Sequence, residues 1–272
     1  MPRSPDTRQA GSYDPETYWS RVAADLDRRD DGRVVAGIDS PYFRYQRGRF
    51  VSRFLSSIDV QGKAILEVGC GPGGNLTVLA GRGPSRLVGV DVSAAMLALA
   101  RKETNDVRPP IEFLKSNGSD LPLPDRAMDL SLTVTVLQHN PDVAVFEALV
   151  SEICRVTSDQ VILIEETAQR QVSREPQMMR RPVDVYRAVC AKNGYRLVQT
   201  DYLRTRATFH VDRVINGVGR RVGLRASGGQ RAPRPLWEVL DVANALARPF
   251  DEVVPETEGL TRMTFSRVEG RS

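Results

Sequence analysis

Between Lys63 and Asn75 the chain reads Lys-Ala-Ile-Leu-Glu-Val-Gly-Cys-Gly-Pro-Gly-Gly-Asn, and this stretch leaves few architectures open. Its first part, Ala64–Val68, is a short apolar run of the kind that forms a strand buried on both faces of a parallel sheet. Glycines follow at 69, 71, 73 and 74, and Asn75-Leu-Thr-Val-Leu-Ala80 opens a helix that reads on to Arg82. Strand, glycine turn and helix are the first half of a βαβ unit. The glycines permit a tight turn and close backbone approach to a ligand, with helix N–H groups pointing into the space above the sheet.

Gly69, Gly71 and Gly74 satisfy G-x-G-x-x-G, a spacing that by itself suits a dinucleotide equally well. Two carboxylates decide. Glu67 stands two residues before the first glycine, where a pyrophosphate would meet a negative charge. Asp91 ends the next strand, placed to accept hydrogen bonds from two ribose hydroxyls. An acidic rim suits a cationic, phosphate-free nucleoside better than NAD. The run Glu67-Val-Gly-Cys-Gly-Pro-Gly-Gly74 resembles the first motif of the class I S-adenosylmethionine-dependent methyltransferases of small-molecule type. The resemblance covers residues 60–203 and implies S-adenosyl-L-methionine as cofactor and S-adenosyl-L-homocysteine as product. The bland alternative is a glycine turn that only packs helix on strand.

Downstream, helices and strands alternate. Strands are expected at 86–91, 111–115, 128–134, 160–166, 195–203 and 260–268. Ser93 and Asp142 open helices, and Asn193-Gly194 stops the helix over 183–192. The pattern is α/β, a Rossmann-like doubly wound sheet whose ligand sits beyond the carboxyl ends of the strands. The resembled fold has seven strands in the order 3-2-1-4-5-7-6, with the last one antiparallel. Residues 1–12 read as a disordered N-terminus and 13–272 as a single methyltransferase domain. Within it, 13–58 is an N-terminal helical cover, 60–203 the cofactor-binding core, 204–259 a helical lid insertion and 260–268 the last strand. Asp14-Pro15-Glu16 starts the first cover helix, and a second is expected over 41–58.

The resemblance assigns cofactor contacts residue by residue. Glu67, Gly69, Cys70, Gly71, Gly73 and Asn75 come from the glycine turn, and Asp91, Val92 and Met96 from the second strand and the helix after it. The segment Lys115-Ser-Asn-Gly-Ser-Asp-Leu-Pro resembles the family's adenine-binding segment, with Asn117 where an Asp is commoner. Its amide oxygen would accept from the adenine amino group, and the Gly118 or Ser119 N–H would meet a ring nitrogen. The rival reading is an Asn-Gly turn with no ligand. Thr133, Val134 and Gln138 lie at the family's fourth motif. Tyr18, Tyr45 and Arg44, on the pre-sheet helices, are candidates for the methionine end or for a plain covering surface.

Methyl transfer from a sulfonium is an in-line displacement in which the protein mainly aligns the partners and keeps out water. A hydroxyl acceptor also needs a general base. His139, one of two histidines, stands at the mouth of the fourth strand as base, substrate hydrogen-bond partner or helix cap. Glu165 is a second catalytic candidate, paired with Glu166 at the end of the fifth strand, and His210 in the insertion is a third. The expectation is O-methylation of a natural product, sugar or other metabolite. N- or C-methylation of a lipid or quinone is the alternative, and RNA methylation a more distant one. The RNA reading lacks the Asn/Asp-Pro-Pro-aromatic tetrapeptide, since that place reads Thr133-Val-Thr-Val.

Charge adds one more expectation. The net charge is +4, yet residues 168–235 carry fifteen Arg or Lys against four Asp or Glu, a local +11 that leaves −7 elsewhere. The arginines at 204, 206, 213, 220, 221, 225, 231 and 234 suggest an anionic acceptor or carrier, or else a solvated basic face. Cys70, Cys154 and Cys190 are isolated and lack metal spacing, and residues 1–8 lack the apolar core of a secretory signal. The expected protein is cytoplasmic and without metal, a monomer or homodimer with no transmembrane span, peripheral membrane contact being left open.

Overall fold

A computed structural model describes residues 13–27, 40–221 and 234–268. Along the chain these form α1 (Pro15–Asp27), α2 (Pro41–Arg53), β1 (Ala64–Val68), α3 (Gly74–Ala80), β2 (Arg86–Asp91), α4 (Ala94–Glu103), β3 (Ile111–Lys115) and β4 (Met128–Val134). There follow α5 (Val143–Val156), β5 (Thr157–Thr167), β6 (Val172–Glu175), β7 (Met178–Arg180), α6 (Val183–Lys192), β8 (Tyr195–Tyr202), α7 (Arg206–Arg221), α8 (Arg234–Ala247) and β9 (Gly259–Arg267). Short 3-10 turns lie at Leu55–Ser57, Leu137–His139 and Arg248–Glu252. The chain gathers into two compact units. One takes its described residues from 13–27, 55–202 and 257–268, the other from 40–54, 203–221 and 234–256.

The first unit is built on a seven-stranded sheet of order β3-β2-β1-β4-β5-β9-β8. Neighbours from β3 to β5 are parallel, and β9 runs antiparallel to both β5 and β8. This is the expected order 3-2-1-4-5-7-6 once the hairpin β6–β7 is counted in the numbering. That hairpin falls in a stretch the sequence pattern left without structure. Leu66, Val68, Val88 and Val161 pack in one core cluster with Phe146, Leu149, Val150 and Ile153 of α5. Each such side chain, taken fully out of water, contributes roughly 1.5–3 kcal/mol. Helix starts follow the expected caps: Asp14 Oδ2 accepts from Thr17 N at 2.8 Å, Ser93 Oγ from Met96 N at 3.2 Å and Asp142 Oδ1 from Val145 N at 3.0 Å. Gly194, at φ +78, ends α6 as expected.

In the second unit α2 stops at Arg53 rather than continuing to 58: Leu55–Ser57 forms a 3-10 turn instead, with the Ser57 hydroxyl accepting from Arg262 Nη1. The buried carboxylate of Asp251 organises this unit. It accepts from Ala207 N (2.7 Å), Thr208 N (3.2 Å), Thr208 Oγ1 (2.8 Å) and the Tyr45 hydroxyl (3.1 Å), so it serves the free N–H groups at the start of α7. Glu252 receives Arg49 at 2.8 Å and Arg53 at 3.0 Å. Helices α7 and α8 meet through Ile215, Leu236, Trp237 and Leu240. Val214 and Val218 of α7 and Val239 and Leu246 of α8 are exposed. Residues 1–12, most of the 28–40 loop, Val222 and the loop over 226–233 lie outside the described residues.

Candidate functional site

The glycine turn is shaped by neighbours as much as by its own flexibility. Gly69 has φ +71, and a Cβ there would overlap the side chain of Val136, so the turn and the exit of β4 touch backbone to side chain. Gly71, at φ +50, faces open space, while a Cβ on Gly73 would stand 2.9 Å from Thr104. Two amides, Gly69 N and Cys70 N, donate to Val90 O at 2.7 and 3.0 Å and hold the turn to the end of β2.

Asp91 joins the turn to the next helix. Its Oδ2 accepts from Gly71 N and its Oδ1 from Ser93 N, each at 2.9 Å. The side chain is 7% exposed, and burial raises its carboxyl above the usual range against the pull of N–H donors from Ser93, Gly71 and Val92. With these amides bound, the carboxylate still has accepting capacity for a further donor. The buried Glu67 accepts from Asn75 Nδ2 at 2.6 Å, which fixes that carboxylate at the turn. Cys70 and Met96 are buried, and burial pushes the Cys70 thiol well up. The Cys70 sulfur lies against Gly89, so this residue offers the site its backbone only.

The loop after β3 is arranged differently from the expectation. Asn117 Oδ1 accepts from Asp120 N (2.8 Å), Ser119 N (3.0 Å) and Ser119 Oγ (3.4 Å), while Gly118 N donates to Ser116 Oγ at 2.8 Å. The Asn117 oxygen and the Gly118 and Ser119 amides thus all bond within residues 116–120, the pattern of an Asn turn. An asparagine side chain bonding the amides two and three residues on is what stabilises such a turn. Half-buried Val92, 3.9 Å from the Cβ position of Gly118, lines the same edge.

The exit of β4 is the most constrained piece of backbone. Thr135 sits at φ +56, a left-handed conformation that β-branched residues avoid, and it is followed by the 3-10 turn Leu137–His139. Glu165, 0% exposed, supports the turn from one end: Oε1 accepts from Thr133 Oγ1 (2.7 Å) and Val136 N (3.2 Å), Oε2 from Gln138 N (3.2 Å). Burial pushes its carboxyl up to about 7. Arg181, 1% exposed, holds the other end, donating from Nη1 to Leu137 O (3.1 Å) and from Nη2 to Asn140 O (2.6 Å) and Pro141 O (3.3 Å). Its guanidinium lies 4.1 Å from the Phe146 ring centre. A carboxylate at the amide end and a cation at the carbonyl end both match the dipole of the turn. Glu165, expected at the strand end as a group that binds substrate or is solvated, is instead fully buried and bonded to the turn.

His139 emerges from this turn. Its Nδ1 lies 3.3 Å from Gln177 O in the β6–β7 turn, its Nε2 lies 3.5 Å from Gln138 Nε2, and its ring meets Trp19 edge-on at 5.1 Å. Burial lowers its pKa below the ordinary histidine value, the Gln177 contact opposing. Gln138 Oε1 accepts from Glu166 N at 2.8 Å, and Glu166 pairs with Arg180 at 3.3 Å. Tyr18 packs edge-on against Trp19 and Tyr13, and burial raises its hydroxyl pKa, with Glu175 adding to the shift.

Thr133, Val134, Gln138, His139 and Tyr18 belong to the same unit as Glu67, Gly69, Gly71 and Asp91. Arg44, Tyr45 and His210 belong to the other. There Tyr45 serves Asp251, Arg44 lies 4.9 Å over the Trp237 ring, and exposed His210 packs on Phe209. Of the clustered arginines, Arg204 donates to Glu252 O (2.7 Å) and Arg206 to Pro255 O (3.2 Å). The side chains at 220, 221, 225, 231 and 234 lie outside the described residues. Sequence reasoning missed Gln177 and Arg181 and took Trp19 for plain helix packing; only the Trp19-Tyr18 pair carried a visible signal. Among the described residues no group of His, Cys, Asp or Glu is arranged to hold a metal ion, and no helix is long and apolar enough to cross a membrane.

Residues 65–160 match the family described as "Methyltransferase domain". The fatty-acid O-methyltransferase of Mycolicibacterium smegmatis is 34% identical over 99 residues, 36% of this chain and 34% of that protein. The phthiotriol/phenolphthiotriol dimycocerosates methyltransferase of Mycobacterium tuberculosis is 30% identical over 105 residues, 38% of this chain and 37% of that one. The chain thus spans about a third of the length of these relatives. In structure it resembles magnesium protoporphyrin IX methyltransferase from Synechocystis, solved with S-adenosylhomocysteine bound. The TM-score is 0.58 at 18% identity, over 70% of this chain and 92% of that one.

Proposed function

We propose that this chain, whose residues 65–160 match a methyltransferase domain and lie on a sheet of order β3-β2-β1-β4-β5-β9-β8, transfers a methyl group from S-adenosylmethionine to an oxygen of a small, largely apolar acceptor. The residues present fit the cofactor. A phosphate-free, cationic nucleoside calls for carboxylates and bare backbone, and the turn offers Asp91, Glu67 and the open face of Gly71. Asp91, already oriented by two amides, is the acceptor for the ribose diol. Glu67 with Asn75 supports the methionine side of the turn, and Val92 the adenine side. With the Asn117 loop closed on itself, adenine recognition rests on packing more than on the hydrogen bonds first assigned to it.

The bound cofactor supplies an electrophilic methyl on a sulfonium, with a neutral leaving group. The chain supplies alignment and a base. The observation that carries the oxygen reading is the contact of His139 Nδ1 with Gln177 O. A carbonyl only accepts, so Nδ1 carries the hydrogen and Nε2 keeps its lone pair for an acceptor hydroxyl. Burial holds the imidazole neutral at physiological pH, the form a base requires. Trp19 and Tyr18 beside it favour an apolar acceptor, and both relatives above are named for lipid substrates.

The test is transfer of labelled methyl to a panel of long-chain alcohols, phenols and fatty acids by the native protein and by His139→Gln. With hydroxyl acceptors the variant should lose about 10²–10⁴-fold in kcat while keeping its affinity for S-adenosylhomocysteine. Equal rates would remove the base and point to an acceptor that is already ionised, such as a carboxylate.

A further inference from the structure

We infer that Arg181 is a positioning residue: by pinning the β6–β7 hairpin to the turn that carries His139, it selects which ring nitrogen of His139 bears the proton. This rests on the reading of His139 as the base, but it concerns the resting protein and is tested without any acceptor.

The hairpin is the only described partner of His139 Nδ1, through the main-chain oxygen of Gln177. A two-stranded hairpin is marginal by itself, and this one pairs over just three registers with an irregularity between Ser173 and Glu175. Its position must therefore be imposed from outside. Arg181 follows β7 directly and is bound on both sides. Its backbone pairs with the end of β5, where Ala168 N donates to Arg181 O at 3.3 Å and Thr167 forms a bridge with it. Its side chain reaches three carbonyls of the His139 turn, at 2.6–3.3 Å, with the planar guanidinium stacked on Phe146.

The same residue thus fixes the root of the hairpin and the C-terminal end of the 3-10 turn, leaving Gln177 O little freedom relative to His139. Arginine is needed for this. Its fork places two nitrogens on separate carbonyls in one plane, which a lysine ammonium does not reproduce. The Nδ1–H tautomer is the minor one for a free imidazole in water, so a fixed acceptor is required to hold it. Held so, Nε2 is the bare nitrogen, with Gln138 Nε2 at 3.5 Å beside it.

The experiment is nitrogen NMR of the full chain labelled at histidine, in a His210→Gln background so that His139 is the one histidine present. Above its pKa the Arg181-bearing protein should show a protonated Nδ1 and a bare Nε2. Arg181→Lys should shift the ring toward the Nε2–H form or to averaged signals, with melting and amide dispersion reporting that it is folded. Should that variant fail to fold, the double change Pro176→Gly, Gln177→Gly at the hairpin tip, where Pro176 is exposed and Gln177 half-buried, loosens the same carbonyl, and the same shift is expected. A protonated Nε2 in the Arg181-bearing protein overturns the proposal. So does an unchanged Nδ1–H tautomer in the folded Arg181→Lys protein or, if that does not fold, in the tip variant.

Discussion

A carboxylate with no exposed surface, Glu165, and a guanidinium almost as deep, Arg181, hold one short turn between them, and the consequences can be measured one residue at a time. Glu165 titrates near 7 in the fold, against 4.5 for an ordinary glutamate. Between those values the folded protein keeps a proton that the unfolded chain has lost. Stability therefore falls as pH rises through this window, by roughly 3 kcal/mol in all. Denaturant titrations of the native protein and Glu165→Gln at pH 4.5, 6 and 7.5 should show the difference between them drifting against the native protein by about that amount. A pH-independent difference would remove the proton from Glu165. Gly69→Ala is the second residue-scale case: a positive φ and the Val136 side chain both oppose a methyl group, so a loss of about 2–4 kcal/mol is expected, of which Val136→Ala recovers only the steric part. For His139 the depressed pKa predicts a rate that rises with pH only below the ordinary histidine range and is flat at neutrality. A rate still climbing above pH 7.5 would assign the base elsewhere.

At the scale of elements, β1 and β5 were legible because a strand buried on both faces is rich in apolar residues, as Ala64–Val68 and the centre of β5 are, while Met128–Val134 showed itself by regular apolar–polar alternation. Caps at Asp14, Ser93 and Asp142 were legible for the same local reason, a side-chain oxygen next to free amides. The hairpin was not. Val172–Arg180 alternates weakly, carries Pro176 at its turn and owes its place to Arg181, whose partners lie forty or more positions away in sequence. The resemblance said nothing of how the loop at Asn117 bonds: its oxygen accepts from the amides of its own loop. The prediction at this scale follows from the Arg181 clamp. Loosening the hairpin should cost catalysis with hydroxyl acceptors while leaving cofactor affinity within about twofold, since nothing in the glycine turn depends on it.

For the molecule as a whole, the order β3-β2-β1-β4-β5-β9-β8 followed from alternation plus the resemblance carried by residues 67–74, whereas the gathering of α2 with the 203–256 insertion into one unit did not. That gathering turns on the buried Asp251 and on Glu252, and acid residues forming a node across two hundred positions leave no periodic trace. The sheet unit holds the glycine turn, Asp91 and His139 together, and the account stands or falls on whether that turn binds a phosphate-free adenosine sulfonium. The decisive measurement is calorimetric titration of the full chain with S-adenosylhomocysteine and, separately, NAD, repeated on Asp91→Ala. Micromolar binding of the first, abolished by the substitution, and no binding of the second is the predicted result. Binding of NAD alone, or of neither ligand to a folded native protein, would contradict the account.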